Sequence, residues 1–583
     1  MLNRKVLVSV LIQSLLVTFT AGQVIQIEDG LILGREMESR SGVKFNAFLG
    51  IPFARPPIDE LRFRAPVRNE PWYGILNCTV FGPMCMQFGT EGLASEDCLQ
   101  LNVFTKNLPL SQIVQLKPVI VYVHGGGFEV GSAAEHGAEY LMDRDVVFVT
   151  VQYRLSAFGF MAVGRADVTG NQGLKDQTLS FRWVQENIHH FGGDRNRVTI
   201  GGHSAGSFSV TAHMVSPMSQ GLFHRVIGLS GSIASGPVDA PIKRGTTNTV
   251  AVMELAKRVN CTTISVDGMV DCLRNTSAQV IAQNMIIEVF PCLVLAWTPL
   301  IEDDFGQERF LTDDPSVLFR QGNFSRVSTI AGITDHEFIA PAANVLGDPT
   351  ATAYLNENWA SIAPICFFFE GNEFTSTEEM ATAIRESYFP FNDIDIRSFN
   401  NLNNLFGDSL ISYGVHKFVH LVNTFIDVYY YKFSYVGQFS VFNFPRNRPY
   451  GVHHEDDIQY VFNLGRPGSV AIPLGHPDSF VVERMTRIWE QFAWTGNPNK
   501  QNDEYLDDML WPRYNSTTES YLEIGNHLVE KNGLFLERFT MWDNFEANST
   551  TFRPSNSTPH NNITFEKAIK RCPRTVRNEM KWN

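Results

Sequence analysis

Residues 198–207 constrain the fold more than any other stretch of the chain. Residues 198–200 are all β-branched, which predicts a short strand. Gly202 and Gly206 then flank Ser204 in the pattern G-x-S-x-G, which is typical of a sharp strand-to-helix turn that exposes a serine hydroxyl. In a chain with 44 glycines the pattern also occurs by chance. By itself it predicts only a glycine-rich turn, and the surrounding sequence has to decide whether Ser204 is a nucleophile.

Two other stretches, 119–123 and 146–153, are rich in apolar residues of high β propensity and predict strands buried on both faces of a sheet. We also predict a hairpin at 25–33, short strands at 225–229, 327–331 and 428–435, and helices at 176–191 and 479–494. Strands that alternate with helices indicate an α/β fold with a mainly parallel sheet and helices on both faces. Residues 340–423 are expected to be helical and loop-rich and to cover the mouth of a site.

The first residues have the pattern of a secretory signal peptide. Arg4 and Lys5 precede the mostly apolar residues 6–19, and small residues at 20–22 suit a cleavage site, so the mature chain is expected to begin near Gln23. The alternative is an uncleaved anchor, but the apolar run is shorter than the ~18 residues that a spanning helix needs. We therefore predict a secreted, extracellular protein.

The chain divides into a signal peptide at 1–22, a folded domain at 23–545 and a tail at 546–583. The tail is rich in Asn, Ser, Thr and Pro, which is typical of poorly ordered, glycosylated sequence. No run in the mature chain is apolar enough to span a membrane. The net charge of −14 disfavours nucleic acid and anionic membrane surfaces as partners, because both attract positively charged proteins.

A secreted chain can carry glycans and disulfides. Sequons for N-glycosylation occur at Asn77, Asn260, Asn275, Asn323, Asn515, Asn548, Asn556 and Asn562. The eight cysteines include no C-x-x-C pair, so a zinc or thioredoxin-like site is not expected. Pairs that are near in sequence are the expected bridges, namely Cys85 with Cys98 and Cys261 with Cys272. No partner is assigned to the remaining four, Cys78, Cys292, Cys366 and Cys572.

A glycine-rich loop follows the first of the buried strands. Residues 124–128 read His-Gly-Gly-Gly-Phe, and consecutive glycines let backbone N–H groups converge on one point. Such a loop can bind the oxyanion that forms when a serine attacks an ester, if a histidine base and a carboxylate assist the serine. In sheet-based hydrolases the glycine loop lies upstream of the serine, and the acid and the histidine follow in that order. This chain supplies all four parts in the same order. A merely flexible turn would not explain the strand that precedes the glycines.

Several motifs together resemble the type-B carboxylesterase family, which includes cholinesterases and juvenile hormone esterases. The matching segments are EDCLQLN (96–102), HGGGF (124–128), GNQGLKDQ (170–177), FGGD (191–194), GHSAG (202–206), GITDHEF (332–338), GVHH (451–454) and WEQFAWTG (489–496). They lie within a region of similarity from about residue 23 to 544, and GHSAG is similar to the elbow of insect esterases. The resemblance implies an α/β-hydrolase fold and an esterase that needs no metal or other cofactor.

The resemblance also implies a catalytic triad of Ser204 as nucleophile, Glu337 as acid and His454 as base. Asp335 is the rival acid, but the family's acid lies five residues after the glycine, which favours Glu337. His453 is adjacent to the base, and packing is its alternative role. Because the base must be neutral to accept a proton, activity is expected to fall below a pH of about 6.5.

Further roles follow from the same resemblance. The backbone N–H groups of Gly126, Gly127 and Ala205 would form the oxyanion hole. Ser230 resembles a serine that hydrogen-bonds the triad acid, although a simple strand-end turn is equally compatible with its sequence. The pairs Arg62 with Glu96 and Arg154 with Asp176 resemble buried ion pairs, and the two expected disulfides resemble bridges that the family shares.

Departures from the family pattern bear on the substrate. No tryptophan lies between Cys85 and Cys98, where cholinesterases use one to hold a quaternary ammonium, so choline esters are not expected. His203 stands where juvenile hormone esterases usually have glutamine, which weakens that narrower assignment. Glu129 follows the glycine loop and is expected to place a carboxylate near the entrance and disfavour anionic substrates.

The sequence as a whole predicts a secreted serine esterase that cleaves small apolar carboxylic esters through an acyl-enzyme on Ser204. Narrower alternatives are an esterase of the juvenile hormone type or one that degrades pheromones or odorants. An alternative of another class is a neuroligin-like adhesion protein or an ester-sequestering protein. The protein is expected to be a monomer or a homodimer.

Overall fold

The structure is a computed structural model that describes residues 22–109, 115–234, 246–287, 289–292, 295–369, 376–390, 393–441, 451–466, 469–508 and 510–549. Nearly all of the expected signal peptide and most of the expected tail therefore lie outside the described residues. So do the sequons at Asn556 and Asn562, together with Cys572.

Twenty strands lie in the described residues. In chain order they are β1 (Val24–Ile27), β2 (Gly30–Leu33), β3 (Arg35–Glu38), β4 (Lys44–Pro52), β5 (Ile75–Asn77), β6 (Met84–Cys85), β7 (Ala94–Ser95), β8 (Gln100–Thr105), β9 (Lys117–Val123), β10 (His136–Gly137), β11 (Val147–Val151), β12 (Ala162–Arg165), β13 (Val168–Thr169), β14 (Gly193–His203), β15 (Arg225–Leu229), β16 (Ser328–Thr334), β17 (Val428–Phe433), β18 (Asn463–Leu464), β19 (Ser520–Ile524) and β20 (Leu528–Asn532).

Eleven of these strands form one sheet in the order β20-β19-β17-β16-β15-β14-β9-β11-β8-β4-β3. From β19 through β11 all neighbours are parallel, whereas both edges of the sheet are antiparallel. The expected mainly parallel sheet is thus confirmed. Because the carboxyl ends of parallel strands meet at one edge, the loops after β9, β14, β15 and β16 come together there.

Fifteen α-helices lie in the described residues. They are α1 (Ser156–Phe160), α2 (Gln172–Asn187), α3 (Ala205–Val215), α4 (Thr246–Arg258), α5 (Val266–Asn275), α6 (Ala278–Asn284), α7 (Pro315–Arg320), α8 (Ile339–Gly347), α9 (Pro349–Glu357), α10 (Trp359–Cys366), α11 (Thr377–Tyr388), α12 (Phe399–Gly407), α13 (Tyr413–Val422), α14 (Ser479–Thr495) and α15 (Leu536–Ser549). Helices α8 to α13 fill the region that was expected to be helical.

Side chains of the central strands alternate between two apolar cores. Val119, Val121 and Val123 of β9 belong to the core that also contains the apolar sides of α2 and α3. Ile120 and Tyr122 point the other way and share the second core with α14. This alternation follows from the two-residue period of a strand. It explains why a strand covered by helices on both faces reads as a continuous apolar run.

Several element boundaries differ from the sequence expectation, notably those of α2, β16 and α15. Helix α2 begins at Gln172 rather than at residue 176, because Asn171 is held at φ 58° by hydrogen bonds to Leu300 and the helix can start directly after it. Strand β16 continues to Thr334 rather than ending at residue 331. Helix α15 continues to Ser549 and so crosses the expected domain boundary at residue 545.

The described cysteines form three disulfides, Cys85–Cys98, Cys261–Cys272 and Cys292–Cys366. The third had no assignment from the sequence. Cys78 is buried without a disulfide, and burial raises the pKa of its thiol to about 12, which makes it unreactive.

The surface of the described chain bears on two further expectations. The sequon asparagines whose side chains are described all lie exposed, namely Asn77, Asn260, Asn275, Asn323 and Asn515. Their glycosylation stays a prediction, and Asn548 lies in α15. Within the described residues no helix combines the length and the apolar character that crossing a bilayer requires.

Candidate active site

Ser204 occupies a strained turn between β14 and α3. Its backbone has φ 55° and ψ −125°, a conformation that residues with a side chain rarely adopt. A Cβ built on Gly202 would lie 2.3 Å from the carbonyl oxygen of Gly206, so the turn tolerates no larger residue there. The Ser204 N–H donates to the carbonyl of Leu229 at 2.9 Å and fixes the turn to the end of β15. These contacts hold the serine at the carboxyl edge of the sheet.

A backbone contact brings the expected acid and base together. The loop after β16 carries Glu337, and the segment from residue 451 carries His454. The His336 N–H donates to the carbonyl of Val452 at 3.0 Å, which joins the two segments. His454 Nδ1 then lies 2.5 Å from Glu337 Oε2. Because a carboxylate only accepts hydrogen bonds, Nδ1 carries the hydrogen and the lone pair of a neutral ring resides on Nε2.

Glu337 is held from two other sides. Its Oε1 accepts hydrogen bonds from Ser230 Oγ at 2.9 Å and from the Thr334 N–H at 2.7 Å, and the residue is buried. No lysine or arginine in the described part of the chain pairs with this carboxylate. The charge of Glu337 is therefore stabilised by dipoles and is compensated by a cation only when His454 is protonated.

The rival acid has a different environment. Asp335 Oδ1 lies 2.9 Å from Lys432 Nζ, and the same ammonium lies 3.1 Å from Glu523. Asp335 thus belongs to an ion-pair cluster rather than to His454. The neighbouring His453 is buried, and its N–H donates to Asp456 Oδ2 at 2.9 Å in the turn that carries the base.

Opposing effects set the pKa of His454. Burial disfavours the charged ring and lowers its pKa, but the hydrogen bond and charge of Glu337 raise it, and the nearby carboxylates of Glu455 and Asp457 add to this. The net result is a pKa above the ordinary value of 6.5. A base of this kind takes a proton readily from an attacking hydroxyl.

The glycine loop after β9 lies against the serine. A Cβ built on Gly125 would lie 3.1 Å from the Cβ of Ser204, so the two segments are in direct contact. Gly126 has φ 106° and Gly127 has φ 62°, and a tight turn forms where Glu129 and Val130 donate to the Gly126 carbonyl. Among the described residues, no acceptor is found for the N–H groups of Gly126, Gly127 and Ala205. Such free donors beside a nucleophile suit an oxyanion.

Apolar groups adjoin the acid–base pair and the glycine loop. The Phe338 ring stacks on His454 with centroids 5.0 Å apart, and the Leu295 side chain lies next to Gly127. Sequence reasoning missed both roles. The position of Phe338 directly after the acid was the available signal for one of them, whereas Leu295 is remote in sequence from the loop it contacts.

The burial and the charge of Glu129 differ from what the sequence led us to expect. The residue is buried and its Oε1 accepts a hydrogen bond from the Ala296 N–H at 3.3 Å. Burial raises the pKa of Glu129 to about 8, so the carboxyl is mostly uncharged at neutral pH. It therefore does not place the expected negative charge at the entrance, because burial disfavours the charged form and no cation among the described residues pairs with it.

None of the triad candidates belongs to a group of described side chains that could hold a metal ion. In the described ranges, one group of side chains could hold an ion, formed by Glu28, His189 and His190 at the surface where the β1–β2 turn meets the end of α2.

Comparisons with known proteins show the family to which the chain belongs. The carboxylesterase family profile matches residues 21–542. The juvenile hormone esterase of Tribolium castaneum is 32% identical over 543 residues, which cover 88% of this chain and 91% of the relative. Esterase E4 of Myzus persicae is 34% identical over 82% of this chain and 87% of its own length. Venom carboxylesterase-6 of Apis mellifera is 32% identical over 85% of this chain and 89% of its own length.

A family match over nearly the whole described chain agrees with the α/β-hydrolase sheet and confirms the family that the sequence motifs indicated. The chain belongs to the carboxylesterase family and is a carboxylic ester hydrolase.

Proposed function

We propose that this hydrolase cleaves esters through an acyl-enzyme on Ser204. His454 Nε2 takes the Ser204 proton as the oxygen attacks the ester carbonyl, and the oxyanion is bound by the N–H groups of Gly126, Gly127 and Ala205. The His454 imidazolium then protonates the leaving alcohol. Water attacks the acyl-enzyme in the same way and releases the acid and the free serine.

The hydrogen bond between His454 Nδ1 and Glu337 Oε2 at 2.5 Å carries this proposal. It leaves the basic nitrogen of the ring on the side away from the acid. Glu337 has no permanent cation among the described residues, so the positive charge that develops on His454 receives the full stabilisation of the carboxylate. The strained backbone of Ser204 is a second support, because strain of this kind concentrates at functional positions.

The substrate class that we propose is a small apolar carboxylic ester. Phe338 and Leu295 adjoin the acid–base pair and the glycine loop, and Glu129 is mostly uncharged at neutral pH. One relative is named a juvenile hormone esterase, which makes that apolar ester a candidate. A panel of juvenile hormone, acetate pheromone, short p-nitrophenyl, acylglycerol and choline esters tests the class. A kcat/KM that is highest for choline esters would contradict it.

We further propose that the protein is secreted. The N-terminal signal pattern, the three disulfides of the described chain and the exposed sequons support an oxidising, extracellular location. Expression of the full chain in insect cells tests this. Secreted protein that begins near Gln23 is expected, and full-length protein retained in the cell membrane would contradict it.

A neuroligin-like adhesion role has weaker support. An adhesion protein of this fold needs neither a hydrogen-bonded acid–base pair nor a strained serine. In such a protein the hydrogen bonds to both oxygens of Glu337 would have no functional role, and the backbone strain at Ser204 would only destabilise the fold.

A fluorophosphonate probe tests the nucleophile, because it reacts covalently with activated serines. The wild-type protein is expected to be labelled with loss of esterase activity, and Ser204→Ala is expected to be neither labelled nor active. Ser209→Ala is the matched control, since Ser209 is a buried serine of the same helix α3 whose Oγ donates to the Ala205 carbonyl at 2.9 Å. Equal labelling of wild type and Ser204→Ala would refute the assignment.

A further inference from the structure

A largely buried ion-pair chain lies beside the proposed base. Arg466 Nε is 2.7 Å from Glu135 Oε2, and Arg466 Nη1 is 2.5 Å from Glu455 Oε2. Glu455 directly follows His454 in the chain and is only 9% exposed. Two carboxylates thus share one guanidinium, so the cluster carries a net negative charge when all three groups are ionised.

The backbone of Glu455 is unusual. Its φ is 74°, in the left-handed region that glycine adopts readily and other residues do not. A glycine at this position would avoid both the backbone strain and the desolvation of a carboxylate. A protein that keeps a buried charge on a strained residue next to its base is expected to use that charge.

His203, the residue before the nucleophile, completes the cluster. Its ring lies 4.4 Å from the His454 ring, and its Nδ1 is 3.7 Å from Glu455 Oε1. Neither ring nitrogen has a hydrogen-bond partner among the described residues. Burial, followed by the charges of His454 and Arg466, lowers the pKa of His203 well below its ordinary value. Of the two adjacent imidazoles, only His454 therefore takes up a proton near neutral pH.

We propose that Glu455 is a positioning residue for ester hydrolysis: its carboxylate, held by Arg466, stabilises the imidazolium that forms on His454 when Ser204 is deprotonated. This inference rests on the proposed function of the triad. It assigns to Glu455 a charge that acts through the base and does not touch the substrate. It assigns to His203 a neutral ring that lies beside the base and does not compete for the proton.

Three ionisable carboxyls surround His454, and they differ in how permanent their charge is. Glu337 comes from the loop after β16, whereas Glu455 and Asp457 belong to the segment of the base itself. Burial raises the pKa of Asp457 to about 7, so its charge is only partial near neutral pH. Burial also acts to raise the pKa of Glu455, but Arg466 and His454 outweigh this and lower it. Glu455 therefore remains ionised over the whole range in which His454 titrates.

The test uses the variants Glu455→Gln and Glu455→Gly in the full protein, with the pH dependence of kcat/KM for a neutral p-nitrophenyl ester and the thermal midpoint as readouts. Both variants lose the charge, so the acid limb of the profile is expected to move to lower pH by a similar amount, roughly half a unit to one unit. The plateau kcat is expected to fall about threefold to tenfold. Arg466 keeps Glu135 as a partner, and glycine relieves the strain at φ 74°, so Glu455→Gly is expected to be the more stable variant.

Two controls separate charge from structure. Glu523→Gln removes a carboxylate of similar burial from the Lys432 cluster and is expected to leave the acid limb in place. His203→Gln removes the neighbouring ring and is also expected to retain an acid limb. If that limb disappeared in His203→Gln, His203 would be the titrating group and the inference would be wrong.

Other outcomes overturn the inference as well. An unchanged acid limb in both Glu455 variants, with only the thermal midpoint altered, assigns Glu455 a structural role. A shift in Glu455→Gly but not in Glu455→Gln assigns the effect to the backbone. Failure here is distinct from failure of the triad, because Ser204→Ala would remain inactive and unlabelled in the first case and would be active or labelled in the second.

Discussion

Two carboxylates at the end of strand β16 illustrate how similar groups acquire different roles. Asp335 and Glu337 are two residues apart in one loop. Asp335 pairs with the permanent cation Lys432 at 2.9 Å, whereas Glu337 accepts hydrogen bonds from Ser230, the Thr334 N–H and His454. The first carboxylate is neutralised in the resting protein. The second is neutralised only when the neighbouring histidine is protonated.

This difference explains why one group suits catalysis. Asp335 adds little to the electrostatic field at His454, because its cluster with Glu523, Lys432 and Lys531 holds two negative and two positive charges. A carboxylate that is held by neutral donors keeps its charge available for the imidazolium. Glu337, the proposed acid, is therefore distinguished by its contact with His454 and by having no lysine or arginine partner among the described residues.

We expect the largest effect on activity when the two carboxylates themselves are replaced. Glu337→Gln is expected to lower kcat for a p-nitrophenyl ester by about 10³- to 10⁴-fold, because an amide neither orients the correct tautomer nor stabilises the imidazolium. Asp335→Asn is expected to change kcat less than about threefold. The reverse pattern would identify Asp335 as the acid.

The next effect concerns stability. Lys432→Met removes the ammonium that Asp335 and Glu523 share, and we expect a loss of about 2 kcal/mol in the free energy of unfolding, because the partly buried Asp335 loses its lysine while Glu523 keeps Lys531. Activity per folded molecule is expected to stay within about twofold. Urea unfolding followed by fluorescence measures the loss.

Lys500→Met is the control, since its pair with Asp503 is half-exposed on the lysine side and is expected to contribute under about 1 kcal/mol. A catalytic defect in Lys432→Met without loss of stability would contradict the division between the two clusters.

Local sequence predicted the serine turn and the buried strands, but it did not predict the contacts between residues that are distant in the chain. The turn at Ser204 is visible in the glycines because a Cβ at Gly202 or Gly206 would meet backbone atoms within 2.3 Å. The buried strands are visible because helices cover both faces of the sheet. The choice of Glu337 over Asp335 rested on the spacing in the family motif. The structural reason could not be seen locally, because the lysine that pairs with Asp335 comes from β17, about 100 residues away. The pairing of Cys292 with Cys366 and of Glu455 with Arg466 depends on tertiary contacts in the same way.

The hydroxyl that supports the acid gives a smaller effect. Ser230→Ala removes the 2.9 Å hydrogen bond to Glu337 Oε1 but leaves the Thr334 N–H in place, so kcat is expected to fall about tenfold. Ser207→Ala is the matched control, because Ser207 is equally buried and its Oγ donates to the Gly231 carbonyl instead of the acid. We expect Ser207→Ala to lower the thermal midpoint without this loss in kcat. Equal kcat in both variants would leave Ser230 as a turn residue.

The smallest expected effect is on the pH at which activity declines, and it also distinguishes Glu337 from Asp335. Burial lowers the pKa of His454, but Glu337 raises it further, and the net pKa lies above 6.5. As the pH falls through that value the base becomes protonated and cannot accept the Ser204 proton, so kcat/KM is expected to decline with a midpoint above 6.5 rather than below it. Asp335→Asn is expected to leave this midpoint within about 0.2 units, because Lys432 already compensates the charge of Asp335 and solvent screens what remains. A midpoint well below 6.5 in the wild type would mean that burial of the ring outweighs Glu337, and a shift in Asp335→Asn would mean that both carboxylates act on one histidine.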